Sequence, residues 1–188
     1  MNLYTLNDWS IEVLNEPNYF LDSTNNPFNY SKFYSSDLED KNKFTPSSKH
    51  GIRVYHKDKL IYNCLVMAFC GGTGIFKKSS LMDKDQLLIC CSNTIFCLGL
   101  PSLELKWKNL ADMATCFQIF QYQEDYIIHG EVQITRMDYF GNKKWEFYGS
   151  DIFVNLNGLD EFKMEEWGIV LTDFNGVQYK IDYNGNSI

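Results

Sequence analysis

The sequence lacks any uninterrupted apolar run near the roughly 20 residues that a membrane-spanning helix needs. Its longest, around LVMAFC, is far shorter. The opening residues MNLYTLNDWS carry no basic region followed by an apolar stretch, so neither export nor anchoring is expected, and the expected location is cytoplasmic. Positive charge is also scarce: 17 Lys and Arg face 24 Asp and Glu, a net charge of −7. Such a chain repels phosphate backbones, which argues against nucleic acid as a ligand, and its field would steer a basic protein partner toward it.

Metal-ligand spacing is missing too. Six cysteines stand at 64, 70, 90, 91, 97 and 116, yet there is no C-x2-C pair, only C-x5-C twice and one adjacent pair. Cys90 and Cys91, as neighbours on a strand, would point to opposite faces of a sheet. No metal site and no cofactor are expected. The cysteines sit in apolar runs such as LLICCSNTIFCL, where a thiol behaves as a small hydrophobe, and are read as reduced core residues. The three histidines, His50, His56 and His129, form no H-E-x-x-H motif, and no G-x-S-x-G elbow occurs.

What is present describes a folding domain: 45% hydrophobic, 16% aromatic and 22% charged residues in 188 positions, enough for one well-buried core. A single domain over residues 1–188 is expected. WSIEVL alternates Trp9, Ile11 and Val13 with Ser10 and Glu12, the period of a half-buried strand. From about 22 to 50 the text turns to Ser, Asn, Lys and Asp around Pro27 and Pro46, an irregular loop dotted with aromatics. Those aromatics either pin the loop to a sheet or offer a contact surface, in which case Tyr30, Phe33 and Tyr34 beside Asp37, Glu39 and Asp40 are the candidate partner-binding residues. From Gly51 onward short strands follow one another, with a brief helical suggestion at NLADMATCF. The expected class is all-β, antiparallel meander repeats.

Three segments, at about 75–108, 115–148 and 152–188, share an order of strand, acidic turn (DKD, QED, EEW), strand, small turn, strand, turn, strand. Leu98, Met137 and Ile181, taken as equivalent ends of the third strands, lie 39 and 44 residues apart. That is close to the roughly 40 to 45 residues of a propeller blade. The third strands end in IFCLGLPSLELKW, ITRMDYFGNKKW and YKIDYNGN: a hydrophobe, in two cases Asp, a Gly turn, and Trp in the first two. This layout resembles the blades of quinoprotein-type β-propellers over about residues 75–188, departing where Gly99-Leu100-Pro101 replaces Asp and Gly and where the last unit lacks its Trp. The resemblance implies stacked or radially arranged antiparallel sheets, as a small or open propeller-like assembly or a twisted sandwich. It carries over no quinone ligands.

CGGTGIFKKSS, residues 70–80, has the vocabulary of a phosphate loop but not its G-x4-G-K-[ST] spacing, and it runs into a strand; its glycines are expected to bend the chain. His129, with Gly130 and Glu131 beside it at a strand end, could share a proton with a carboxylate, and Asp173 is expected to cap the LTDFNG turn. The acid pairs Glu124-Asp125, Asp160-Glu161 and Glu165-Glu166 fall in expected hairpin turns. The leading expectation is a non-enzymatic binding protein that works by protein–protein contact, comparable in size and charge to the immunity proteins that neutralise a basic toxin. The alternatives are a small hydrolase or sugar-binding protein using His129, Glu131 and Asp173 at a cleft, and a propeller fragment that assembles with copies of itself.

Overall fold

The computed structural model describes residues 1–21, 23–36, 45–154 and 160–188, and all of its named elements are strands. They form four successive sheets. The first contains β1 (Asn2–Leu6), β2 (Trp9–Asn15), β3 (Phe33–Ser35), β4 (Ser48–His56) and β5 (Lys59–Ala68), in the order β1-β2-β4-β5-β3. The second is a meander of β6 (Ser80–Asp83), β7 (Gln86–Cys91), β8 (Thr94–Gly99) and β9 (Glu104–Leu110). The third repeats it with β10 (Cys116–Tyr122), β11 (Asp125–Gly130), β12 (Gln133–Met137) and β13 (Lys143–Tyr148). The fourth has β14 (Phe162–Glu165), β15 (Gly168–Thr172) and β16 (Gln178–Ile181). All pairings are antiparallel except β3 beside β5. The all-β, propeller-like class read from the sequence is the observed one.

Several local expectations are corrected. β1 precedes the WSIEVL strand, and the residues ahead of the recognised repeats form a sheet of their own. The stretch at about 22–50 contains β3 and the start of β4, so it is not wholly irregular. NLADMATCF is not helical: it joins the end of β9 to the start of β10. Its Ala and Met suit a helix, but backbone pairing on either side wins.

The sheets stack face to face, and each gap is an apolar core. Ile11, Ile52 and Val66 of the first sheet meet Leu87, Ile89 and Phe96 of the second. The opposite face of the second sheet, with Leu88, Cys90 and Ile95, packs on Ile119, Tyr126 and Ile128 of the third. Ile127 and Ile134 of the third then meet Ile169, Leu171 and Ile181 of the fourth. This is why QLLICC and TIFCLG are buried at every position, whereas the outer strand ELKWKNL has only exposed and partly buried residues. Each fully buried Leu or Ile contributes about 1.5–3 kcal/mol. Cys91 faces the first core and Cys90 the second, as strand alternation requires. Among the described residues no apolar cluster joins the first sheet to the fourth.

Neighbouring sheets are also locked at their turns. Trp107 of β9 donates its indole N–H to the Tyr139 carbonyl at 3.2 Å, and Trp145 of β13 donates to the Tyr183 carbonyl at 3.0 Å. Each indole lies against a glycine of the receiving turn, Gly141 or Gly185, both at positive φ. That turn is built three times. The carboxylates of Asp138, Asp173 and Asp182 each accept N–H groups from residues two and four positions on, and their carbonyls accept the N–H of Gly141, Gly176 and Gly185.

Candidate functional site

His129, Glu131 and Asp173 gather around one chain segment, the connection at 149–154 between the third and fourth sheets, but their reactive atoms are not brought together. His129 is buried, its Nε2 lying 3.3 Å from the Phe153 carbonyl and its Nδ1 3.3 Å from Gln118 Oε1. Burial pushes its imidazole down to about 4. The Glu131 carbonyl accepts the Phe153 N–H at 2.7 Å. Burial would raise the Asp173 carboxyl, but hydrogen bonds from Tyr179 (2.7 Å), the Val177 N–H, Ser150 Oγ (3.0 Å) and the Asn175 N–H outweigh it and hold the group below its usual range. The capping role expected for Asp173 is therefore seen directly.

CGGTGIFKKSS bends between β5 and β6 and runs into a strand only at Ser80, and its polar atoms sew three sheets together. Cys70 N–H donates to Ser92 Oγ, Thr73 N–H to Ser48 Oγ, and Thr73 Oγ1 to the carbonyls of Ser92 and Cys116. Cys70 itself corrects the reading of every cysteine as core: it is exposed, while the other five are buried. One buried acid escaped sequence reasoning altogether. Asp112, inside NLADMATCF, accepts the backbone N–H groups of Ala114, Thr115, Val132 and Gln133 at 2.6–3.0 Å. Burial raises its carboxyl despite these donors.

The loop aromatics divide. Tyr30 is buried with Tyr19, Leu65 and Met67, and its hydroxyl donates to Glu16, so its ring is not offered to a partner. The Arg53 guanidinium lies 3.9 Å from the Phe28 ring centroid and pairs with Glu16 at 3.0 Å, fastening the same layer. A Cβ at Gly51 would stand 1.8 Å from the Tyr30 hydroxyl, so only glycine admits this packing. Tyr34 is half-buried and donates to the Leu103 carbonyl at 2.8 Å. Phe33 remains exposed, as do Phe20 and Leu21, which the sequence did not single out. Asp37, Glu39 and Asp40 lie outside the described residues.

A different surface arises from the repeat itself. The first two strands of every sheet are joined by a two-residue turn: Asn7-Asp8, Lys84-Asp85, Gln123-Glu124 and Glu166-Trp167. Asp8, Asp85, Glu124 and Glu166 are all exposed, one acid from each sheet. Contacts between sheets set these turns side by side. Asn2 and Tyr4 hydrogen-bond Ser80, aligning β1 with β6, while Gln121 and Tyr126 donate to Asp83 beside the second turn. Tyr183 stacks on Tyr122 and donates to the Glu165 carbonyl, linking the third turn to the fourth. Lys106 pairs with Asp85 at 2.9 Å and holds its carboxyl low. Trp167, 45% exposed, is the large aromatic on this rim. Of the three acid pairs, Glu124 and Glu166 do occupy turns, but Asp125 is buried against Arg136 and Lys144, and Asp160-Glu161 precede β14.

Along the same inner strands runs a groove of about 560 Å³ lined by Lys77, Lys78, Gln118, Phe120 and residues 160–164. Phe120 and Phe162 stack at 4.6 Å, Lys78 Nζ lies 4.1 Å from the Phe120 centroid, and the buried His129 ring supports Phe162 from behind at 5.0 Å.

No family model matches the chain, and no curated protein matches it. Among solved structures it is similar to BamB from Moraxella catarrhalis, a β-propeller, with a TM-score of 0.51 at 13% identity, over 73% of this chain and 42% of that one. The computationally designed Ika8 protein matches with a TM-score of 0.48 at 9% identity, over 78% and 46% of the two chains. The AfRom2 CNH domain matches at 0.48 and 11%, over 78% and 48%. The chain thus spans less than half the length of each of these structures. The likeness to BamB concerns the fold: an all-β, propeller-like arrangement of sheets.

Proposed function

We propose that the protein is a non-enzymatic binding module that recognises a basic protein through the rim of its inner hairpins. The observation that carries this reading is the recurrence of an exposed acid, Asp8, Asp85, Glu124 and Glu166, at the equivalent turn of all four sheets, beside exposed Trp167. Acids presented in series, with an aromatic anchor beside the last of them, suit a cationic surface, and the net charge of −7 favours its approach. An immunity-type protein that neutralises a basic toxin would have these properties. The hydrolase or sugar-binding reading has less support, because His129 and Asp173 direct their polar atoms at their own chain. Six unpaired thiols suit a reducing, cytoplasmic location. The blades are of the quinoprotein type in this reading, supported by Trp107 on Gly141 and Trp145 on Gly185.

The test is affinity capture from the protein's own cell lysate, at low and high salt, with the wild type and an E124K/E166K double variant. A single basic partner held by the wild type, weakened by salt and lost from the variant, is the expected result. Equal retention by the variant, or no partner at either salt, overturns the reading.

A further inference from the structure

The edge of β14 that faces the groove has no strand beside it among the described residues, since the fourth sheet runs β14-β15-β16. Register identifies which backbone groups this leaves open. Thr172 N–H donates to the Glu161 carbonyl at 3.0 Å, and Lys163 and Glu165 stand opposite Val170 and Gly168. Antiparallel pairing alternates, so Glu161, Lys163 and Glu165 turn their backbone groups toward β15, while Phe162 and Met164 turn theirs toward the groove. Five consecutive residues, 160–164, line it, as they must where the lining is a strand edge rather than one face of a sheet.

The neighbouring inner strand is treated differently. Ile119 N–H of β10 donates to the Lys78 carbonyl at 2.8 Å, so the protein's own turn at 76–79, closed by the Ser79 N–H on the Phe76 carbonyl with Lys78 at a φ of +69°, occupies that edge. The floor beside the β14 edge is the Phe120–Phe162 stack with Met164. Its charged walls differ: Lys77 and Lys78 stand on one side, and Asp160 and Glu161 on the other, where Lys163 also lines the groove but pairs with Glu165 at 2.6 Å.

We propose that the free edge of β14 docks an extended peptide segment of a partner protein, which adds as a strand and sets an acidic side chain toward Lys77 and Lys78 and a basic one toward Asp160 and Glu161. Main-chain bonds to Phe162 and Met164 supply the grip, and the opposed charges fix the direction. This surface is separate from the acidic rim, and neither reading depends on the other.

The probe is a blocked peptide of alternating Val and Thr with Glu near one end and Lys near the other, titrated into the full chain. The expected result is slowed amide exchange at Phe162 and Met164 and little change at Lys163, whose N–H already lies in the ladder. Met164→Pro removes one outward N–H while leaving the β15 pairing intact, a substitution that an edge tolerates. It is expected to weaken the peptide about tenfold, the worth of one or two net hydrogen bonds. A K77E/K78E variant, folded whatever the fate of the proline variant, is expected to bind this peptide more weakly and one with Lys at both ends more tightly. Unchanged exchange at Phe162 and Met164 at saturating peptide, or equal binding of the original peptide to K77E/K78E, overturns the proposal.

Discussion

Trp107 packs so closely on Gly141 that a Cβ on the glycine would lie 2.5 Å from the indole Cδ2, and Trp145 stands in the same relation to Gly185, at 2.8 Å. Gly176 occupies the matching position of another such turn, with φ of +81° against +83° and +85° for the other two, yet nothing among the described residues lies within 4 Å of where its Cβ would be.

These three glycines separate backbone strain from packing. Gly176→Ala is expected to cost about 1 kcal/mol, the price of a left-handed alanine. Gly141→Ala and Gly185→Ala must in addition displace a tryptophan, and an expected loss of about 3 kcal/mol follows from combining strain with overpacking. Urea unfolding of the three variants decides it; equal losses would mean that the indoles do not lock the sheets.

Stability should fall in mild acid. His50 is fully buried, neither ring nitrogen has a well-formed hydrogen bond among the described residues, and desolvation, only partly offset for His50 by the Lys49 and Cys90 backbone, pushes both His50 and His129 down to about 4 from an ordinary 6.5. The unfolded chain therefore takes up protons that the folded chain refuses. Stability is complete above an unfolded pKa of about 6.5 and is lost as pH drops toward about 4, with roughly 2 kcal/mol gone per histidine at about pH 5. The difference between urea midpoints at about pH 7.5 and pH 5 should shrink by near half in His50→Leu. A pH difference that this variant leaves intact would remove His50 as a cause.

The loop layer should open independently of the stack. Arg53 touches Phe28, Tyr30 and Glu16 at once, so Arg53→Ala removes a cation–π contact and an ion pair from one fastening. Faster amide exchange and proteolysis at 19–30 are expected, with amides of β7 and β8 unaffected. Loss of protection in β7 as well would show that the layer supports the whole fold.

The legible parts of the sequence are those whose cause is local. Continuous apolar runs such as QLLICC, the Gly turns after Met137 and Ile181, and the capping acid Asp173 all announce themselves within a few residues. The first sheet does not. Its β2 and β4 pair across a long intervening segment, and β3 enters out of order and parallel beside β5, so no short window carries the signal. Tyr30 and Phe33 look alike as text; only the fold decides that one is buried against Leu65 and the other faces solvent. The turns DKD, QED and EEW exposed three quarters of the acidic rim, but Asp8 belongs to a sheet whose other landmarks are missing. Asp112 was hidden for a related reason: its partners Val132 and Gln133 are 20 and 21 residues away.

That same residue gives the sharpest test of how the third sheet is joined to the second. Two N–H groups meet each carboxylate oxygen: those of Ala114 and Thr115 at Oδ1, those of Val132 and Gln133 at Oδ2. Asp112→Ala leaves four donors without their acceptor in a buried site, for an expected loss of about 3 kcal/mol or more. Asp112→Asn preserves size and shape, but its amide can present only one oxygen, so its NH2 must face two of the donors. It should therefore cost nearly as much as alanine, whereas a side chain that merely filled space would tolerate it. An asparagine variant within about 0.5 kcal/mol of wild type in urea unfolding would show that water, not the carboxylate, satisfies these backbone groups.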